Sequence, residues 1–134
     1  MSLFKAIKQA LEMRLNLLDP RPPIAWENTD YEPSPREAYI APFLIPAASN
    51  LADLDYLQNN LGIFQIDIYV PADKGTGEQL AIADNISNLF KAQKLPLDDG
   101  GVVRIYAISP PRNGGREEAW YKASVDINWQ CFSQ

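Results

Sequence analysis

Residues 68–86, IYVPADKGTGEQLAIADNI, run from an alternating apolar segment through a lysine and two glycines into a helical pattern. A strand, a glycine-bearing turn and a helix N-terminus are the physical ingredients of an anion site, because unpaired backbone N–H groups and the positive end of the helix dipole point outward there. The details do not fit a phosphate binder. A P-loop sets its lysine directly after the last glycine, with a Ser or Thr next to hold magnesium. Here Lys74 precedes Gly75 and Gly77, and no Ser or Thr stands in the magnesium position. The dinucleotide fingerprint also fails, since its third spaced glycine is missing. What does fit is TGEQ, which reads as a capping box with Thr76 as N-cap and Gln79 three residues on. The stretch is expected to start a helix.

Other chemistry is equally hard to assemble. The chain has no histidine, so the commonest general base near neutral pH is absent and triads of the Ser–His–Asp or Cys–His type cannot be built. Zinc loses its favoured ligands together, and Asp53/Asp55, Asp98/Asp99 and Glu117/Glu118 lack the spacing of a calcium hand. A glycosidase needs only two carboxylates, yet any fold carrying seventeen acids offers such pairs by chance. Cys131 falls on the inward side of an alternating segment, where it reads as a small buried hydrophobe rather than a nucleophile. No catalytic, metal or cofactor-binding residue is assigned, and a protein that is not an enzyme is expected.

The elements that position these groups follow from pattern. With 134 residues the chain suits one domain, 1–134. Its 46% apolar and 22% charged residues are ordinary for a folded globular protein. A formal charge of −5 works against a surface that grips nucleic-acid phosphates. The lone cysteine permits no internal disulfide, which favours an intracellular setting. In the first eighteen residues Phe4, Ile7, Leu11, Leu15 and Leu18 recur at three- and four-residue steps behind Ser2 as N-cap, and interrupting charges argue against a signal core or membrane span. A packing helix is expected there. Five prolines in residues 19–37 exclude a long regular element, leaving a short edge strand around Ile24–Glu27.

Residues 38–46 read as a strand closed by Pro46, and 47–60 as a loop with a helical turn near Leu51–Tyr56. From Gly62 the alternation is clean, with Phe64, Ile66, Ile68 and Val70 facing one way. The following helix carries Leu80, Ala83, Ile86, Leu89 and Phe90 inward. Residues 102–109 and 120–131 resume strand character around a turn cluster, PPRNGGREE, at 110–118. The sum is an α+β fold: a mostly antiparallel sheet of about five strands with two helices packed on one face. Its other face would present Gln65, Asp67, Tyr69, Arg104, Tyr106, Trp120, Lys122 and Asp126, the aromatic and charged mixture of an interface rim.

Three stretches carry a resemblance: IAWENTDYEPSPREAYIAPFLIP at 24–46, GIFQIDIYVPADKGTGEQLAIADNISNLF at 62–90, and AWYKASVDINWQC at 119–131. Together they resemble the phage tail-terminator-like family, related to the minor tail protein that caps the tube of lambda-like siphophages, over nearly the whole chain. The resemblance implies a homo-oligomeric ring, usually of six subunits, made in the host cytoplasm and then resident in the neck of the virion tail. Such a ring binds the end of the tail tube protein, stops its polymerisation and offers a head–tail joining surface to head-completion or connector proteins. DNA would pass through the lumen without specific binding, as an acidic total allows, and no membrane is involved. Contact residues are expected among Asp53, Asp55, Tyr56, Asp67, Tyr69, Arg104, Arg112, Arg116 and Lys122. The alternatives are another neck or head–tail connector component and a small carboxylate-based enzyme. In the free subunit, loops 47–60 and 109–118 are expected to be poorly ordered until a neighbour orders them.

Overall fold

A computed structural model describes residues 2–51, 58–98 and 100–133. The order is α1 (Leu3–Leu15), β1 (Tyr39–Leu51), β2 (Gln58–Pro71), α2 (Gly77–Phe90), β3 (Lys94–Pro96), β4 (Val102–Ile108), β5 (Arg112–Glu117) and β6 (Trp120–Ser133). The strands form one six-stranded sheet in the order β1-β2-β6-β4-β3, with β5 also on β6. All strand pairs are antiparallel. One strand edge of β6 is shared end to end: β4 takes residues 127–131 and β5 takes residues 120–124.

One face of the sheet is apolar and meets both helices. Ile7, Leu11 and Leu15 of α1, and Ala83, Ile86 and Phe90 of α2, are buried in the same cluster as Ile40, Phe64, Ile66, Ile68, Val125, Ile127 and Trp129 of the strands. Fully burying each large aliphatic side chain contributes roughly 1.5–3 kcal/mol, so this layer carries most of the folding free energy. Arg14 bonds the two helices by donating from Nε and Nη2 to the Leu89 carbonyl, at 3.0 and 2.8 Å. Cations suit that place because the last carbonyls of a helix are unsatisfied and carry its negative end.

The edge strand β1 corrects the sequence reading and explains its prolines. Pro46 does not close the strand; pairing with β2 continues to Leu51 through a bulge between Pro46 and Ala48. Ile40 donates its N–H outward to the Pro23 carbonyl and accepts from Ala25, and Leu44 donates outward to Glu27 Oε1. Residues two apart on a strand aim their amides the same way, so Pro42 and Pro46 stand where an N–H would leave the sheet, and neither costs a ladder bond. The expected edge strand at Ile24–Glu27 shrinks to a single parallel bridge, Ile24 to Ile40. Glu27 completes this border, since its Oε1 also receives Lys8 Nζ at 2.7 Å.

Four further expectations are corrected. Residues 47–51 and 58–60 belong to β1 and β2, whereas the helical turn imagined near Leu51–Tyr56 falls mostly on 52–57, outside the described residues. The turn cluster at 110–118 contains β5, which survives its glycines because a bulge between Asn113 and Gly115 sets Gly115 at φ 78°. At the helix starts, neither Ser2 nor Thr76 makes a side-chain cap bond. Gln79 is instead buried and donates to the carbonyls of Ile68 at 2.9 Å and Tyr121 at 3.0 Å, fastening α2 to two strands. Because Gln79 holds the inward position with Ala83, Ile86 and Phe90, Leu80 is rotated about 100° away and is exposed, as Phe4 is at the start of α1.

Candidate functional site

The outer face of the sheet is built by register. Tyr39 of β1 stands opposite Tyr69 of β2, which stands opposite Lys122 of β6. One row along, Ala41, Asp67 and Ser124 align, and then Phe43, Gln65 and Asp126. Side chains in register share a face, so this half of the sheet gathers an acid, a lysine and several aromatic rings. The Tyr39 and Tyr69 rings stack at 4.7 Å and 9°, Trp120 meets Tyr39 edge-on at 5.1 Å, and Tyr31 from the proline-rich segment closes on Tyr39 at 5.4 Å.

Asp67 is the polar centre. Its side chain is only 5% exposed, yet Oδ1 accepts from Ser124 Oγ at 2.6 Å and Gln65 Nε2 at 2.9 Å, and Lys122 Nζ stands 3.6 Å from Oδ2. A buried carboxylate is tolerated when its lone pairs are satisfied and a cation is near. Burial first, then the negative charges of Asp67 and Glu117, push the Tyr69 hydroxyl up to about 12. Tyr39 is raised by burial and by Glu117. Both phenols are therefore neutral near physiological pH and available as donors.

The expected contact residues do not form one cluster. Asp67, Tyr69 and Lys122 come together as described. Arg112 pairs with Asp126 at 3.0 Å and Arg116 with Asp73 at 3.0 Å, so each guanidinium has a carboxylate partner in its own chain. Asp53, Asp55 and Tyr56 lie outside the described residues. Arg104 sits far from the tyrosines: it aligns with Gln130 and, through it, with Leu61, about eight residues or roughly 27 Å along β2 from Tyr69. There it borders an open groove of about 550 Å³ between the end of α2 and the β3–β4 edge, with Lys91, Lys94 and Tyr106. Tyr31, Tyr39, Ser124, Lys91 and Lys94 were absent from the expected contacts. The parity of β1 and β6 was the signal that reaches Tyr39 and Ser124; nothing local marks the two lysines.

One arrangement bears on catalysis. Lys8 lies 3.8 Å from Glu12 and 2.7 Å from Glu27. Burial raises the Glu12 carboxyl against the pull of Lys8, whereas at Glu27 the same penalty is outweighed by the Lys8 and Leu44 bonds, which hold it low. Divergent acidities in neighbouring carboxylates are a mark of acid–base sites. Here the cation and the backbone N–H that cause the divergence also tie α1 to the border of β1, which is a structural task. Among the described residues no group of three or more acids or cysteines is placed to hold a metal, and no helix is long and apolar enough to cross a membrane.

The sheet thus gives one face to the helices and the other to a fixed aromatic and charged network. Residues 6–129 match the family described as phage tail terminator protein, and the chain belongs to that family. Fourteen solved chains are similar to it. One of them has a TM-score of 0.72 at 26% identity, over 98% of this chain and 96% of its own. No curated protein matches.

Proposed function

We propose that this chain is a structural, non-enzymatic part of a phage tail, a terminator that closes into a ring on the end of the tail tube, stops its polymerisation and forms the surface that joins tail to head. The family match over residues 6–129 carries this reading. The fold is compatible with it. A rigid sheet whose outer residues are locked by stacking and by the Asp67 bonds presents a preorganised surface, which lowers the ordering cost of association. The net charge of −5 suits a channel through which DNA slides without adhering. The subunit would be made in the host cytoplasm and end in the neck of the virion, in contact with the tube protein and the head-completion proteins. Six copies are expected from the resemblance described above.

Electron microscopy of the purified protein mixed with growing tail tubes tests the proposal. Rings seated on one tube end, with elongation halted, are the expected result. Tubes that keep growing, with bare ends, in an excess of correctly folded protein would reject it.

A further inference from the structure

The two borders of the sheet differ in charge. On the β3–β4 side, Lys94 and Arg104 are register partners and both are exposed, so two cations stand side by side on adjacent strands. Like charges directly opposite one another destabilise a sheet. Lys91, at the C-terminal end of α2, adds a third positive group to the same groove of about 550 Å³, whose lining among the described residues contains no acid. Among the described residues none of the three makes an ion pair. The nearest acids in sequence among the described residues, Asp84 on α2 and Asp98 after β3, are exposed and lie outside that lining. A net charge of −5 makes such a local excess of cations more notable.

The opposite border has the complement. Residues 23–25 run along the outer side of β1, and the chain then continues through Asp30, Glu32, Arg36 and Glu37 before entering β1. The three acids are exposed and make no ion pair among the described residues, leaving the segment net negative despite Arg36. Pro33 and Pro35 hold Glu32 and Ser34 to extended backbone, and Tyr31 anchors the segment on Tyr39. Glu37 then donates its N–H to the Ser34 carbonyl at 3.2 Å, so the strip ends in a turn, and a segment already held by prolines, a turn and a ring contact loses little entropy when it enters a groove.

We infer that the Lys91–Lys94–Arg104 groove receives the Asp30–Glu37 strip of a second copy of this chain. The inference rests on the ring reading above and names its contact. Groove and strip lie on opposite borders of one sheet, so each copy donates its strip to one neighbour and its groove to the other. That is a heterologous, head-to-tail contact, the kind that closes into rings. A nucleic-acid phosphate is the competing occupant of three cations, but so small a basic footprint on an acidic protein favours a carboxylate partner.

Two variants test it. One reverses the groove (K91E, K94E and R104E), and the other reverses the strip (D30K, E32K and E37K). Each alone repels itself and should stay monomeric by light scattering at concentrations where the parent assembles, while circular dichroism shows both folded. Mixed one to one, every groove again faces an opposite strip, so the mixture should recover assembly in alternating order. This recovery also excludes misfolding as the cause of the loss. Lys91→Glu alone, the mildest change, should weaken association by roughly tenfold and make what remains less sensitive to salt, because one attractive charge is gone. Variants that assemble separately as the parent does, or a mixture that fails to assemble, overturn the inference and leave the ring reading standing. A parent that stays monomeric even with tube ends present overturns both. A groove variant that loses binding of a DNA duplex yet assembles normally overturns it in favour of phosphate.

Discussion

Two clusters on this molecule hold charged side chains in opposite ways. Around Asp67 the strong groups have found partners within the chain: Ser124, Gln65 and Lys122 converge on one carboxylate, and Tyr39 and Tyr69 stack on each other one row along. Around Arg104 the cations face one another across β3 and β4, with no acid between them among the described residues. Polar groups that are buried must be satisfied or they cost stability, whereas exposed charges can wait in water at little cost. The first cluster therefore belongs to the fold. The second costs the isolated chain a little, which is what a surface kept for a partner would do.

The comparison breaks most visibly at Asp67. Asp67→Ala removes the acceptor of two hydrogen bonds and leaves Lys122 half-buried without its counter-charge; the expected loss is about 3 kcal/mol in chemical unfolding. Asp67→Asn keeps the shape and some of the bonding, so it should lose less, about 1 kcal/mol. A loss below the noise of the measurement for Asp67→Ala would mean that the network is ornamental. The inner face provides a reference: Gly62 lies opposite Trp129, and a Cβ there would overlap Trp129 Cζ2 and stand 2.8 Å from the Ile45 carbonyl oxygen. Gly62→Ala should cost about 2 kcal/mol by overpacking, with a lowered melting temperature and unchanged charge behaviour.

How much of this was legible depends on whether the signal was local. The inward parity of Phe64, Ile66, Ile68, Val125, Ile127 and Trp129 was plain in the sequence, and so was the apolar stripe of Ile7, Leu11 and Leu15, because one buried face imposes a period on its own residues. The sheet's outer aromatics follow from the same parity once register is known. Gln79 was misread because a capping box and a buried tie between helix and sheet look alike in sequence; only tertiary contact separates them. β5 and the far half of β1 were missed because glycine and proline normally break strands, and a bulge or an edge position cancels that rule. The groove was the least legible part. Lys91, Lys94 and Arg104 are brought together by a helix end and a three-residue strand that carry no pattern of their own.

A pH titration sharpens the contrast on the satisfied side. The folded-state pKa of Tyr69, about 12, lies above the ordinary phenol value of 10, so in that interval the folded chain holds a proton that the unfolded chain has lost. Stability should therefore be level below pH 10 with respect to this group and fall as pH rises toward 12, since the slope follows the protons bound by the unfolded state minus those bound by the folded state. Tyr39, shifted the same way, adds to the fall. Tyrosinate absorbance measured beside unfolding would show it. Tyr69→Phe should flatten the dependence, and an ordinary phenol midpoint for Tyr69 would contradict the burial seen here.

The smallest effects separate an exposed ion pair from the Arg104 cluster by sign. Arg116 and Asp73 form an exposed pair, with side chains 59% and 77% accessible, and such pairs contribute little after screening and side-chain entropy. Arg116→Ala should move stability by less than about 0.5 kcal/mol, on the destabilising side. Arg104→Gln removes one of two like charges opposed across β3 and β4, so the isolated chain should become more stable by a few tenths of a kcal/mol, about the worth of such a cross-strand pair. Denaturant midpoints of the two variants, compared at low and high salt, decide it. Salt should erase the gain at Arg104, because screening already relieves the repulsion that the substitution removes. If Arg104→Gln instead destabilises the monomer at low salt, the guanidinium has a partner in its own chain, and the groove loses its claim to be held open for another.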